Sequence, residues 1–164
     1  MPPAQSSQQP SWWRRWLGGV PNAEPQYFTR WPRWRRWFGH RCERAVASHL
    51  WRLGYTVLAA NVQAGGAEID LLVLDRDTLV IVEVRSTQAS HPGALMETAA
   101  SVHEAKQEKL TRGALAFLKR HRLLGKMPVR FDVIGVAWPP NASYPLIHHI
   151  PDAFPAQGKY QFFC

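Results

Sequence analysis

Residues 67–85 read Ala67-Glu68-Ile69-Asp70-Leu71-Leu72-Val73-Leu74-Asp75-Arg76-Asp77-Thr78-Leu79-Val80-Ile81-Val82-Glu83-Val84-Arg85. Two apolar runs, Ala67 to Asp75 and Thr78 to Arg85, flank the polar pair Arg76-Asp77. Runs of that length with a two-residue polar break predict a β-hairpin. With Asp75 facing Thr78 across the turn, Asp70 falls opposite Glu83 and Glu68 opposite Arg85. Side chains alternate along a strand, so these four share one face. Directly opposed carboxylates have Cβ atoms about 4.5–5.5 Å apart and destabilise the sheet. A proton or an intervening cation removes the repulsion. The apolar neighbours Ile69, Leu71, Leu72, Ile81, Val82 and Val84 argue against water as the remedy. A hard divalent cation suits the pair, since Mg²⁺ takes one or two protein carboxylates together with substrate phosphate. Both faces of the strands are apolar, so alternation does not set the register, and a one-residue slip would part the acids. The spacing also admits a structural reading, with Glu68–Arg85 as an ion pair and Asp70 facing water at a strand end.

Outward from the hairpin the pattern stays regular. Cys42 to Leu53 is predicted helical, with Val46, His49, Leu50 and Leu53 at three- and four-residue steps and Gly54 as the stop. Glu43 lies in its first turn, where a sheet-packed helix can aim it at the strand ends; a solvated acid favoured by the helix dipole is the simpler reading. Tyr55 to Val62 is strand-like, and Gly65-Gly66 makes a turn. Gln88 to Gly93 is predicted to be a loop. Ser101-Val102-His103-Glu104 has the form of a capping box. It opens a helix whose stripe is Leu110, Ala114, Phe117 and Leu118, running to about Arg122. Val129 to Trp138 and Tyr144 to Ile150 are further strands, separated by Pro139-Pro140-Asn141. The expected order is αβββαββ, a mixed β-sheet flanked by helices in an α/β fold.

The chain has 164 residues, 46% hydrophobic and 20% charged, which suits one domain with a real core. Its apolar runs are too short to span a bilayer. Two cysteines, Cys42 and Cys164, make no disulfide framework, and no secretory h-region opens the chain. A cytoplasmic protein is therefore expected. The net charge of +8 is uneven: residues 1–38 hold six arginines and one acid, Glu24. Residues 39–164 hold fourteen Lys/Arg and eleven Asp/Glu, and that mild basic excess on the body favours a polyanionic partner such as nucleic acid, while it also suits a merely soluble protein. Residues 1–38 carry six of the eight tryptophans and six of the thirteen prolines. They read as a flexible Trp/Arg/Pro-rich N-terminal arm, with residues 39–164 as the folded domain. Trp13-Arg14-Arg15-Trp16-Leu17-Gly18 returns as Trp34-Arg35-Arg36-Trp37-Phe38-Gly39. Such turns can stack on bases, lie on a membrane surface or cover an apolar patch of the body.

Glu43 with Ala47, Gly54-Tyr55, Asn61, Glu68-Ile69-Asp70-Leu71, Val82-Glu83-Val84-Arg85, Lys106-Gln107, Leu110 and Arg130-Phe131-Asp132-Val133 follow one another as in the YraN-like uncharacterised bacterial proteins. The resemblance covers about residues 39–154. That family resembles the PD-(D/E)XK, or restriction-endonuclease-like, superfamily. The resemblance implies a divalent-metal-dependent nuclease site binding nucleic acid, most simply DNA, and using Mg or Mn. It implies Asp70 and Glu83 as metal ligands and Glu43 as the first-helix acid. Arg85 stands at the position of the motif lysine, and Lys106 and Gln107 are the second-helix polar positions near nucleic acid. Two departures accompany it. Arginine does not give up its proton, so Arg85 fits electrostatic catalysis and not a general base. Cys42 stands where the family usually has glycine. A catalytically inactive module, binding nucleic acid or protein on the same fold, is the rival expectation, because fold alone does not set function.

Other constellations carry less. His148 and His149 are adjacent on a predicted strand and point to opposite faces, which prevents easy chelation of one metal. His103 reads as surface and Cys42 as structural.

Overall fold

Gly65 and Gly66 both take positive φ, 56° and 75°, and close the tight turn between Ala64 and Ala67. The computed structural model describes residues 41–87 and 92–160. The Trp/Arg/Pro-rich arm with its Trp repeat, and Cys164, lie outside the described residues. The described elements are α1 (Arg41–Arg52), β1 (Thr56–Ala64), β2 (Ala67–Asp75), β3 (Thr78–Thr87), α2 (Pro92–Ala100), α3 (Glu104–Arg120), β4 (Val129–Ala137) and β5 (Leu146–Ile150), followed by a 3-10 turn, Gly158–Tyr160. The strands form one sheet in the order β1-β2-β3-β4-β5. Only β3 and β4 run parallel, and the other neighbours are antiparallel. The α/β fold with a mixed sheet flanked by helices is the one expected.

The strands are continuous apolar runs because both sheet faces are covered. Leu72, Leu74, Leu79, Ile81, Phe131 and Val133 pack with Leu110, Ala114, Phe117 and Leu118 of α3. Leu71, Val73, Val80, Val82, Ile134 and Val136 pack with Val46, Ala47 and Leu50 of α1. Fully burying one such side chain is worth about 1.5–3 kcal/mol, so each helix is held by a few large contacts. The two faces therefore bring α1 and α3 to the same strands from opposite sides.

Three local expectations need correction. Pro92-Gly93, assigned to a loop, begins the helix α2. Proline at a first helical position is a start signal, but the nine residues hold little polar contrast to mark a face. The capping box does not form. The N-cap of α3 is His103, without a side-chain cap bond, and Ser101 Oγ instead donates to the Thr98 carbonyl at 2.7 Å. The end of α2 claims that hydroxyl first. Finally, Glu68 does not meet Arg85, for a reason given below.

Helix α2 lies so close to β4 that Gly135 is required there. A Cβ at that position would stand 2.9 Å from the Leu95 carbonyl oxygen and 3.2 Å from Ala99 Cβ. Gly135→Ala is expected to destabilise the fold by about 1–3 kcal/mol, because backbone and not a side-chain tip must shift. Urea unfolding measures this, and a loss below about 0.5 kcal/mol would show that α2 yields freely.

Candidate functional site

The β2–β3 hairpin pairs in the expected register, from Asp75↔Thr78 through Leu71↔Val82. Pairing stops there, although both strands continue. On the other side of β2, β1 remains paired to the turn, with Val62↔Ile69 and Gln63↔Glu68. At the fork, Asn61 of β1 takes a left-handed φ of 52°, a conformation asparagine tolerates better than most residues. Strands β2 and β3 thus part just where the acids begin.

Asp70 fills the gap. Its Oδ2 accepts the Val84 main-chain N–H at 2.7 Å, taking the place of the carbonyl a continued ladder would supply. Glu83 stands next to it with its side chain only 4% exposed. Burial, and then the Glu83 charge, push the Asp70 carboxyl up to about 7, against the Val84 hydrogen bond and the Lys106 charge. Burial also raises Glu83, against Lys106 and Arg85.

Groups from both faces of the sheet reach this point. From α3, Lys106 Nζ lies 3.0 Å from Glu83 Oε2. Hydrogen bonding and charge from Lys106 both act on Glu83, whose Oε2 is buried. Arg85 Nη1 is 3.9 Å from Glu83 Oε1, with its side chain 39% exposed. Among the described residues Arg85 therefore pairs with Glu83 and not with Glu68. The strands have separated by that point, and exposed Glu68 stays with β1. From α1, the buried Glu43 accepts a hydrogen bond from Asn61 Nδ2 at 3.0 Å, and its charge acts on Asp70. Gln107 sits beside Lys106, but its Nε2 donates to the Val102 carbonyl at 2.8 Å. It braces the first turn of α3. Cys42 is half-buried and its thiol pKa is raised by burial.

Asp70 and Glu83 are the pair able to hold a cation. Among the described residues, no three His, Cys, Asp or Glu side chains gather closely enough to do so alone. A raised Asp70 pKa has a definite sign in stability. The folded state binds the proton more tightly than the unfolded chain, so this contribution is full below about pH 4 and is lost as pH rises through about 7. Asp70→Asn keeps an acceptor for Val84 N–H and removes the charge. Without metal, the wild type should lose melting temperature across that window and the variant should lose less. Parallel curves would show that Asp70 titrates as an exposed acid.

A second polar cluster lies on the α1 face. Asp132 is fully buried. It accepts from Arg130 Nε at 2.8 Å and Nη2 at 3.1 Å, from the Asp152 main-chain N–H at 3.0 Å, and it meets His149 Nε2 at 2.8 Å. Arg130 also reaches Asp75 Oδ2 at 3.0 Å and the Tyr55 hydroxyl at 3.1 Å. Burial alone would raise Asp132, but the bonds from His149, Arg130 and Asp152 hold it below the usual range. The cluster ties β2, β4, β5 and the start of β1 together. Sequence reasoning assigned no role to Asn61, Asp132 or His149. An acid and an arginine two apart in an apolar strand were the available signal for Asp132.

A five-stranded mixed sheet between helices, with an acidic pair where two strands part, defines a small restriction-endonuclease-like α/β domain. The model of Uncharacterised protein family UPF0102 matches residues 42–136. The chain belongs to that family, the YraN-like group its sequence resembles. It is 39% identical over 128 residues to a UPF0102 protein of Rhodopirellula baltica, covering 76% of this chain and 74% of that one. A UPF0102 protein of Xylella fastidiosa is 41% identical over 121 residues, covering 73% of this chain and 93% of that one. One from Pseudomonas aeruginosa is 36% identical over 118 residues, covering 72% and 92%. Among the described residues, no helix is long and apolar enough to cross a membrane.

Proposed function

We propose that this protein binds nucleic acid and hydrolyses its phosphodiester bonds at Asp70 and Glu83 with Mg²⁺ or Mn²⁺. The observation that carries the reading is the meeting of two acids, buried Glu83 and half-buried Asp70, at the point where β2 and β3 part. Two carboxylates without a third suit a hard ion that keeps several waters and takes substrate oxygen. Asp70, Glu83 and the Val84 carbonyl would hold it. When bound, such an ion polarises the scissile phosphate and acidifies a water. Asp70 is kept in place by Val84 N–H. Arg85 is exposed enough to donate hydrogen bonds to a phosphate, and its fixed charge excludes it as the base. Glu43, held by Asn61, would help position a water or a second ion. Lys106 adds positive charge beside the scissile group.

The test is incubation of the full chain with branched, single-stranded and duplex DNA in Mg²⁺ or Mn²⁺. Metal-dependent cleavage supports the reading. Retarded migration of DNA without cleavage of any of the three supports a binding module instead. The ion pairs from Lys106 and Arg85 to Glu83 favour that second reading, because they already offset its charge.

A further inference from the structure

Lys106 occupies a place its own helix does not favour. It is the third residue of α3, whose N-terminal dipole end attracts acids and disfavours cations. Local propensity therefore does not account for an ammonium there. Its partner does, since Nζ stands 3.0 Å from Glu83 Oε2. The Lys106 charge also acts on Asp70, so the ammonium serves both acids. Gln107 fixes the turn that carries it by donating to the Val102 carbonyl.

The two sides of this contact differ in freedom. The Glu83 side chain is enclosed, at 4% exposure, whereas that of Lys106 is 34% exposed on a flexible stem. The lysine can withdraw and the carboxylate cannot follow. Arg85, at 3.9 Å from the other oxygen, is a weaker companion.

We propose that Lys106 is the resident counter-cation of the Asp70–Glu83 seat, and that a divalent ion enters by exchanging with its ammonium. The inference rests on the metal-site reading above and gives Lys106 a positioning role within it. Before exchange the ammonium offsets negative charge at the seat. After exchange it stands beside the bound ion, where an anionic phosphate would meet it. A competing ammonium must lower the apparent affinity for the divalent ion.

Calorimetric titration of Mn²⁺ into the full chain tests this without any turnover. Wild type is expected to bind Mn²⁺. Lys106→Met, which keeps the stem and removes the charge, should bind about tenfold more tightly, equivalent to about 1.4 kcal/mol. Lys106→Arg keeps the charge and should bind no more tightly than wild type. Lys106→Gln replaces the methionine variant if that variant does not fold. Binding by wild type with equal or weaker binding by the neutral variants overturns the exchange and leaves the metal site standing. No Mn²⁺ binding by wild type or the neutral variants overturns both. Tight binding by the neutral variants alone supports exchange in its strongest form.

Discussion

Asp132→Ala should be the most damaging single substitution for the fold, at about 3–5 kcal/mol. The carboxylate is fully buried and gathers Arg130, His149 and the Asp152 main-chain N–H. Removing it leaves a partly buried guanidinium and two further polar groups without their acceptor. Arg130 keeps Asp75 and Tyr55, which places the expected loss toward the lower end of that range. A domain's whole stability is about 5–15 kcal/mol, so the variant should unfold at much lower urea than wild type. Asp132→Asn keeps the shape and some bonds and should lose less. The sign with pH is opposite to that of Asp70. The Asp132 pKa lies below its ordinary value, so its contribution is present above the unfolded pKa and is lost as pH falls through the folded one. Urea midpoints for Asp132→Ala within a few tenths of a molar of wild type would show that the cluster adds little.

Glu83→Gln should remove metal-dependent cleavage while leaving the fold intact. Metal-supplied charge stabilisation is worth several kcal/mol, and each 1.36 kcal/mol is tenfold in rate, so the loss should be at least about a hundredfold. Asp70→Asn should behave alike. The informative feature is the pairing of outcomes. Both acids have raised pKa values, so neutral replacements should stabilise the metal-free protein at high pH, above about pH 7 for Asp70, as they abolish turnover. A structural acid does the reverse, as Asp132 illustrates. Arg85→Lys should keep or raise activity, because lysine also donates to phosphate. Undiminished cleavage in both acid variants would falsify the assignment of the site.

Much of the architecture is legible in the residues. The two-residue break at Arg76-Asp77 sets the hairpin, and the observed pairs from Asp75↔Thr78 to Leu71↔Val82 follow from it. The stripe Leu110, Ala114, Phe117 and Leu118 marks α3, and Val46 with Leu50 marks α1. Helix α2 escaped because nine largely apolar residues offer no contrast between faces. Its close approach is visible only at Gly135, a residue of another element.

The candidate site is legible in part. Asp70 and Glu83 were singled out by a register that holds up to the residue before them. Extending it further put Glu68 opposite Arg85, which does not occur, because β2 and β3 part after Leu71↔Val82. The acids still meet, through Asp70 reaching across to Val84 N–H.

Helical period and a two-residue turn are relations between residues at fixed short offsets, so the sequence by itself determined most of the elements and the hairpin register as far as Leu71↔Val82. Where the strands fork, which cation from α3 reaches Glu83, and how Asp132 finds His149 depend on residues brought together across separate elements. Only the tertiary structure decided those, because burial and charge act through distance in space, which spacing along the chain does not encode.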